Sequence, residues 1–372
     1  MNKIIISAAF AAMMAFPAFA DRHDHCCSVE SVKDGNSLCV DDPFWLGADI
    51  SATTMDEARG RFTKNSKGEQ VETTKLMKDL GMNAIRLRVW VNPDKGFCNP
   101  DDVLVMAKRA RDLGMPVMID FHYSDWWADP GKQNIPAAWK KLDYEGMKKA
   151  VAEHTRNTLM PIRDAGVDVR WVQVGNETTN GMLWDMGRAQ TNPEQYAGLF
   201  KAGAAAVREV LPDAKIIVHL DNGFDRDLYD WNLGILRDNG AVWDIVGMSL
   251  YPKYAVEWSK LPDETTAINR TIENIKHVKE KFGTDVMIVE VGAPALEGEK
   301  SKKTIEAIIK GAAENTDGIC KGVWYWAPEC NSGDLDGYTL GAFLNDKPTV
   351  IMDAFTEAAE KYNVPCCNKS KK

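Results

Sequence analysis

The chain has 372 residues, a formal net charge of −9 at pH 7 and a sequence pI of about 5.3. Its basic residues stand singly or in pairs, as in Lys140-Lys141, so the sequence does not carry the basic patch of a nucleic-acid-binding protein. A neutral substrate is compatible with this charge balance. No low-complexity tract or linker rich in Pro, Gly and Ser divides the chain, which favours one large domain.

The first 20 residues predict a secretory signal peptide. Lys3 precedes an apolar run from Ile4 to Phe19, and the small-x-small tripeptide Ala18-Phe19-Ala20 comes directly before charged residues. This order is typical of a signal peptide with cleavage after Ala20. A membrane anchor is the alternative, but the run is shorter than the ~20 apolar residues of a spanning helix. We therefore expect secretion to the periplasm, the cell surface or the medium, with no transmembrane segment in the mature chain.

Short apolar runs alternate with amphipathic segments along the rest of the chain. The runs that predict strands are 44–51, 84–90, 117–123, 171–177, 215–220, 245–252, 286–292 and 322–328. The segments that predict helices are 71–80, 101–113, 144–165, 192–211, 228–239, 263–281, 301–315 and 350–362. A strand and a helix repeated eight times predict an α/β fold, a single-domain (β/α)8 TIM barrel. A doubly wound open sheet is the alternative, weakened because no Gly-rich phosphate loop follows the first strand.

Eight cysteines in a chain expected to be secreted favour disulfides. Because the termini of a closed barrel come close together, Cys26 and Cys27 are candidate partners for Cys366 and Cys367, and Cys320 for Cys330. A metal site in the crowded segment 23–27 is the alternative to the first pairing. We therefore divide the chain into a signal peptide (1–20), an N-terminal extension with cysteines (21–40), a catalytic barrel (41–365) and a C-terminal tail (366–372).

Polar, acidic and aromatic residues stand at the ends of the predicted strands. In a barrel these ends meet at one face, where barrel enzymes keep their chemistry. Glu177 follows the fourth strand and Glu290 ends the seventh. We expect these strands to lie across the barrel mouth from each other, so that both carboxylates reach one bound molecule. Glycoside hydrolysis needs such a pair, one to protonate the leaving oxygen and one to attack or to activate water.

Seven stretches of the predicted barrel carry a family pattern. They are GADIS (47–51), NAIRLRVWVNP (83–93), DFHYSDWWADPGKQNIPAAW (120–139), VQVGNETTNGMLW (172–184), HLDNG (219–223), DIVGMSLYP (244–252) and GVWYWAP (322–328). Together they resemble the arabinogalactan endo-β-1,4-galactosidases, or endo-β-1,4-galactanases, of glycoside hydrolase family 53. The segment 122–139 is the most specific, whereas the pair of Glu positions is shared by the whole clan of retaining barrel glycosidases. The resemblance implies a monomeric enzyme that hydrolyses β-1,4-linked galactan and galacto-oligosaccharides.

The resemblance also implies roles for individual residues in a double displacement. Glu177 would be the acid/base and Glu290 the nucleophile, with the carboxyl groups ~5 to 5.5 Å apart. Glu177 must then start protonated and Glu290 ionised, so Glu290 needs a cation or hydrogen-bond donors beside it. Arg86, rather than the neighbouring Arg88, and Tyr251 are the expected partners of Glu290. Asn176 is expected to hydrogen-bond the sugar 2-hydroxyl.

Aromatic side chains are expected to form the sugar platform, because sugar C–H faces stack on indole rings. Trp326 is the expected ring beneath the cleaved sugar. The remaining candidates for substrate contact, or for orienting residues that make it, are Trp126, Trp127, Trp184, Trp90, His122, Asp125, His219, Asp221 and Asn222. Ordinary packing is expected for Trp139, Trp171 and Trp243, and a structural role for His154 and His277, which look exposed on their helices.

Two departures from the family pattern concern metal binding and the last strand. Glu290 is followed by VGAPALEGEK, which lacks the closely spaced Asp and Asn ligands of some bacterial members. We therefore predict no required cofactor and no metal site, although Asn331, Asp334 and Asp336 could bind calcium weakly. Ala327-Pro328-Glu329 stands where the family usually has Glu before Pro, and we expect Glu329 at the surface.

Three other functions are weighed against a galactanase. A retaining β-glycanase of the same clan, acting on mannan or glucan, would share the two Glu positions. A non-catalytic carbohydrate-binding barrel would not need them, and their presence argues against it. A metal-dependent barrel hydrolase is disfavoured because no HxH follows the first strand and HExxH is absent.

Overall fold

Eight parallel strands close into a barrel in the computed structural model, which describes residues 43–363. In chain order they are β1 (Trp45–Asp49), β2 (Ala84–Val89), β3 (Val117–Phe121), β4 (Val169–Val174), β5 (Lys215–Leu220), β6 (Ile245–Leu250), β7 (Asp285–Val291) and β8 (Cys320–Trp326). Each strand pairs with its neighbours in sequence, and β8 pairs with β1 to close the barrel. The predicted (β/α)8 barrel is therefore confirmed.

Helices connect these strands around the outside of the barrel. In residues 43–363 they are α1 (Thr53–Ala58), α2 (Thr73–Asp79), α3 (Pro100–Asp112), α4 (Tyr144–Asp164), α5 (Pro193–Val210), α6 (Arg226–Asp238), α7 (Pro252–Glu257), α8 (Glu264–Phe282), α9 (Glu299–Glu314) and α10 (Asp353–Tyr362). Two small antiparallel hairpins, Gly181–Met182 with Gly187–Arg188 and Phe343–Leu344 with Lys347–Pro348, lie in the loops after β4 and β8. Within these residues no helix is both long enough and apolar enough to cross a membrane.

All eight predicted helices are present, as α2 to α6 and α8 to α10, but several predicted strands run past the real ones. The prediction for β3 reaches Tyr123 and that for β4 reaches Glu177, whereas the strands end at Phe121 and Val174. Both overrun residues have positive φ, 48° at Tyr123 and 44° at Glu177. A positive φ turns the backbone out of the strand direction, so the loop begins earlier than the apolar pattern indicates. The short helices α1 and α7 were not predicted.

Alternation along each strand explains why polar residues enter the barrel. On β2, Ile85 and Leu87 pack outward among the residues that contact the helices, while Ala84 belongs to a separate cluster inside the barrel. Because successive side chains of a strand point to opposite faces, Arg86 and Arg88 share the inward face with Ala84. The same alternation brings Asp120 of β3 inside.

Tryptophan rings fill the amino-terminal half of the barrel. Trp171 packs edge-on against Trp45 and Trp324, with ring centroids 4.9 and 5.6 Å away. A Cβ added at Gly47 would lie 1.9 Å from the Trp324 ring, so only glycine lets the indole cross β1 there. Trp171 thus has the packing role expected for it. Trp139 and Trp243, for which packing was also expected, are buried as well.

The cysteines of the barrel do not form the expected bridge. Cys320 and Cys330 are both buried and free, as is Cys98. The prediction of a Cys320–Cys330 disulfide is therefore wrong. Cys320 begins β8 and lies at the opposite end of that strand from the loop that holds Cys330, which separates the two thiols by the length of the strand. The predicted signal peptide and the predicted bridges between Cys26-Cys27 and Cys366-Cys367 lie outside the described residues.

Candidate active site

A cleft of about 700 Å³ opens at the carboxyl-terminal face of the barrel. Glu177 and Glu290 both line it, together with the aromatic rings of Trp326 and Tyr251. Strands β5 and β6 stand between β4 and β7 in the barrel wall, so the two strands that carry the carboxylates are three places apart in the ring of eight, one place short of directly opposite. Both carboxylates thus line one cleft.

Arg86 lies fully buried beneath this cleft and binds three carboxylates. Its Nη1 is 2.7 Å from Asp49, and its Nη2 is 3.0 Å from Asp120 and 2.9 Å from Glu290. Burial opposes the charge of Arg86, but these neighbours raise its pKa above the ordinary value. The guanidinium fork is suited to several carboxylates at once. One cation therefore joins β1, β2, β3 and β7 below the cleft.

Asp120 and Gln173 complete the polar network around this cation. Burial works against ionisation of Asp120, yet Arg86 and His122 hold its pKa below the ordinary value. Gln173 accepts from Arg86 Nε at 3.2 Å and donates to Asp120 at 2.7 Å. Asn176 accepts from Arg86 Nη2 at 2.9 Å and donates to the Ala128 carbonyl at 2.8 Å. Its amide orientation is therefore fixed before any substrate arrives.

Glu290 has a partner on each carboxyl oxygen. Arg86 contacts Oε1, and the Tyr251 hydroxyl donates to Oε2 at 2.8 Å. Burial raises the pKa of Glu290 to about 7, while Arg86 and Tyr251 act in the opposite direction. The structure therefore places Arg86 and Tyr251 beside Glu290, as expected.

Glu177 has a different environment, in which no cation of residues 43–363 forms an ion pair with it. Burial is the main cause that raises its pKa well above the ordinary value, and the charges of Glu290 and Asp221 add to it. The only hydrogen-bond donor to its carboxyl group within residues 43–363 is Ser249, whose Oγ lies 2.6 Å from Oε1. Arg86 and Tyr251 therefore favour the ionised form of Glu290, whereas burial favours the protonated form of Glu177.

Ser249 also links Glu177 to His219. His219 is fully buried, and burial together with the charge of Arg86 lowers its pKa well below the ordinary value, so the ring is neutral. Two N–H donors face its Nδ1, from the Gln173 side chain at 2.7 Å and the Glu177 backbone at 3.3 Å, against one oxygen, Asn176 Oδ1 at 3.0 Å, which already accepts from Arg86. The ring proton is therefore on Nε2, which lies 2.8 Å from Ser249 Oγ. His219 donates to Ser249, which donates to Glu177 Oε1, and this order leaves Glu177 Oε2 to carry the acidic proton.

Comparison with known proteins gives the family. Residues 45–347 match the sequence profile of glycosyl hydrolase family 53. The chain is similar to an arabinogalactan endo-beta-1,4-galactanase A of Emericella nidulans, at 31% identity over 81% of this chain and 88% of that protein. It is also similar to a probable arabinogalactan endo-beta-1,4-galactanase A of Aspergillus fumigatus, at 32% identity over 70% of this chain and 73% of that protein. A solved structure of fungal beta-1,4-galactanases superposes with a TM-score of 0.76 at 26% identity, over 85% of this chain and 99% of that chain.

The chain belongs to glycosyl hydrolase family 53. It is a glycoside hydrolase, and its cleft therefore has to hold a carbohydrate. The fold agreement extends to nearly the whole of the compared chain, which places the carboxyl-terminal rim where barrel glycosidases have their active sites.

The family 53 enzyme has the expected ring at the end of its last strand. Trp326 lines the cleft and packs edge-on against Trp127 at 5.7 Å and Tyr338 at 4.5 Å. Arg88 lies over the Trp127 ring at 4.1 Å, and the Trp127 Nε1 donates to Asp336 at 2.6 Å. Contacts with Trp127 and Tyr338 thus fix the orientation of the Trp326 indole in the cleft wall.

Among the expected polar contacts, His122, Asp221 and Asn222 line the cleft of this enzyme. His122 Nε2 lies 3.1 Å from Asp120, and its Nδ1 accepts from the Ala128 amide at 3.0 Å. Burial raises the pKa of Asp221 to about 6, and its carboxyl group accepts from the Thr179 hydroxyl and the Asn222 amide.

Several expected contact residues lie elsewhere. Asp125 accepts from the backbone amides of Asn92 and Ala137 and so ties two loops together. Trp184 donates to the Asn180 carbonyl and lies under Arg188. The candidates outside the cleft lining are Arg86, His219, Asp125, Trp90, Trp126 and Trp184. None of these six residues forms the wall of the cleft.

Glu329 contradicts the expectation that it lies at the surface. It is only 5% exposed, and neither of its carboxyl oxygens has a hydrogen-bond partner in residues 43–363. Burial raises the pKa of Glu329 well above the ordinary value, and the charges of Asp56 and Asp49 add to it. Burial therefore favours the uncharged form of this carboxyl group.

Replacing Glu329 with methionine is expected to stabilise the enzyme by about 1–3 kcal/mol at pH 8, since it removes two unsatisfied buried oxygens. The folded state has the higher pKa, so the wild type loses stability as pH rises above the unfolded value. The gain should therefore shrink at pH 4. Urea midpoints at both pH values measure it, with the exposed Glu153→Met as control. A loss of stability at pH 8 would mean that Glu329 has a partner in the folded protein.

In the loop after β8, the side chains considered as calcium ligands form hydrogen bonds with other side chains of the protein. Asn331 donates to Asp334 and Asp346, and Asp336 accepts from Trp127. In the part of the chain from 43 to 363, no group of three or more His, Cys, Asp or Glu side chains is arranged to hold a metal ion.

Proposed function

We propose that the protein is a secreted endo-β-1,4-galactanase that cleaves pectic galactan, or type I arabinogalactan, with retention of configuration. The names of its relatives support the substrate. The observation that carries the mechanism is the pair formed by Glu177 and Glu290, which line one cleft with different partners. Segment 1–20 supports secretion because it has the order of a signal peptide.

In the first step a Glu290 oxygen attacks the anomeric carbon of the galactosyl unit above Trp326. The glycosidic bond breaks as Glu177 gives its Oε2 proton to the leaving oxygen, and a galactosyl ester of Glu290 forms. In the second step the Glu177 carboxylate takes a proton from water, whose oxygen attacks the same carbon and releases Glu290. Asn176 hydrogen-bonds the 2-hydroxyl in this proposal while charge develops at the ring, and its contacts with Arg86 and Ala128 support that role because they fix its amide.

Purified pectic galactan, mannan and carboxymethylcellulose, offered separately, test the substrate. We expect hydrolysis of galactan, with a mixture of oligosaccharides early in the reaction. Proton NMR in the first minutes should show the β-anomer before mutarotation. Preference for mannan or carboxymethylcellulose would assign the chain to another β-glycanase, and an initial α-anomer would mean inversion.

Two further measurements address the remaining parts of the proposal. Sequencing the amino terminus of the exported protein is expected to begin at Asp21, which follows the small-x-small tripeptide. Activity on galactan is expected to survive exhaustive dialysis against EDTA, because the proposed steps use only side chains of the chain. Loss of activity that calcium restores would contradict the second expectation.

Two hydroxyl substitutions are expected to move different limbs of the pH profile of kcat/KM. The Tyr251 hydroxyl favours the ionised form of Glu290, so Tyr251→Phe should move the acidic limb to higher pH. The Ser249 hydroxyl favours the ionised form of Glu177, so Ser249→Ala should move the basic limb to higher pH. Each variant is the control for the other. Movement of the same limb in both would contradict the assignment of acid and nucleophile.

A further inference from the structure

We propose that Trp258 and Tyr254 form an additional sugar-binding subsite, which holds a galactan unit beyond those joined by the cleaved bond. Both residues line the cleft that contains Glu177 and Glu290. The subsite rests on the proposed galactanase function, because its occupant is the extended substrate chain.

The two rings form a fixed, flat surface. Tyr254 and Trp258 stack with their centroids 3.9 Å apart and an interplanar angle of 10°. Trp258 nevertheless remains 69% exposed. One face of the indole is thus covered by Tyr254 while the other is open to solvent. The open face of the indole is therefore available to the C–H face of a sugar.

The platform continues a line of aromatic rings that begins at Glu290. The Tyr251 hydroxyl donates to Glu290, the Tyr251 ring lies 5.7 Å from Tyr254, and Tyr254 stacks on Trp258. Because these rings border one continuous cleft, a polysaccharide that places one unit at Glu290 can extend along them. Indole and phenol rings accept the C–H face of a sugar whatever its position in the chain.

The platform formed by Tyr254 and Trp258 lies in the connection between β6 and α8, and the contacts of this connection hold it in place. Helix α7 carries Tyr254, and Trp258 follows its last residue with its amide bonded to the Tyr254 carbonyl at 2.8 Å. Lys253 of the same helix forms an ion pair with Glu297 at 2.8 Å. The subsite is therefore pre-organised, which lowers the entropic cost of binding.

Trp258→Ala tests the subsite, with Trp231→Ala as the matched control. Trp231 is 40% exposed on α6 and lies outside the cleft lining, so both variants remove one exposed indole. We expect Trp258→Ala to lower kcat/KM on galactan and long galacto-oligosaccharides by about 2- to 12-fold, the range of one aromatic contact. On the shortest oligosaccharide that the wild type cleaves, the variant should match the wild type. Trp258→Tyr should restore most of the loss, and Trp231→Ala should match the wild type on every length.

Retardation in gels that contain galactan, with Glu290→Ala added to every protein so that none cleaves the polymer, measures binding without catalysis and should show the same order. Equal retardation and equal kcat/KM of Trp258→Ala and wild type on galactan would overturn the subsite and leave the proposed function intact. A wild type that neither binds nor cleaves galactan would reject the proposed function itself. A wild-type dimer that Trp258→Ala abolishes, with no change on galactan, would assign the platform to a second copy of the chain and also overturn the proposal.

Discussion

Glu290→Ala is expected to lower the rate of galactan hydrolysis by more than about 10⁴-fold, because it removes the proposed nucleophile and no nearby group replaces it. Its two oxygens are bound by Arg86 and Tyr251, so the alanine variant leaves a cavity beside a cation. Azide can occupy such a cavity. With a galactoside that carries a good leaving group, added azide should give an α-galactosyl azide, the product of a single inversion.

Glu177→Ala should differ from Glu290→Ala in its dependence on the leaving group. Galactan hydrolysis should fall by about 10²–10⁴-fold, since protonation of a poor leaving group is lost. Formation of the galactosyl-enzyme from an activated galactoside needs no acid and should remain fast. Azide should then react with that intermediate to give a β-galactosyl azide. The two variants are thus distinguished by the configuration of the azide product.

Glu153→Gln, an exposed carboxylate on α4, is the matched control and should keep wild-type activity. All variants should share the thermal unfolding midpoint of the wild type to within a few degrees, which separates loss of chemistry from loss of fold. The reverse azide products, β from Glu290→Ala and α from Glu177→Ala, would exchange the proposed roles. Full activity of either alanine variant would reject the pair.

The carboxylate pair and the barrel could be predicted because both depend on local patterns. Apolar runs and amphipathic segments repeat along the chain, and Glu177 and Glu290 stand where such runs end. Closure of the barrel then brings them to one face, whatever the loops do. The exact ends of the strands could not be predicted in this way, because the positive φ of Glu177 does not change the pattern of apolar residues.

The residues missed by the sequence reasoning are those whose role depends on contacts between distant strands. Asp120, Gln173 and Ser249 each stand inside an apolar strand, and that position was the one signal that pointed to them. An inward polar residue in a buried strand must find a partner, but the partner's identity comes from barrel geometry. Trp258 was missed for another reason, because a single tryptophan in a loop is not distinguishable in sequence from one that packs.

The same geometry explains the error at Glu329. A glutamate after a proline in a loop is usually solvated, and no local pattern signals that the loop after β8 folds inward. The structure buries it near Asp56 and Asp49, on the side of the barrel where β8 closes against β1. Closure of the barrel brings together the first and last strands, which are far apart in the sequence. Contacts made there are therefore the hardest to predict from local sequence patterns.

Arg86→Met is expected to destabilise the protein by about 3–5 kcal/mol at neutral pH, the range for breaking a buried ion pair from one side. The substitution keeps the aliphatic volume but leaves Asp49, Asp120 and Glu290 buried without their shared cation. Denaturation by urea at constant pH measures the loss. Arg86→Lys should recover part of it, because an ammonium group retains the charge but not the fork that reaches three carboxylates.

The pH dependence distinguishes loss of charge from loss of packing. Arg86 and His122 hold the pKa of Asp120 below its ordinary value, so ionised Asp120 contributes stability above its unfolded pKa and loses it as pH falls. The difference between wild type and Arg86→Met should therefore shrink towards pH 3. Arg88→Met is the matched control, since Arg88 is buried on the same strand face but makes no carboxylate ion pair among residues 43–363. Its cost should be smaller and nearly independent of pH, and an equal, pH-independent cost for both arginines would mean that packing alone explains the effect of Arg86.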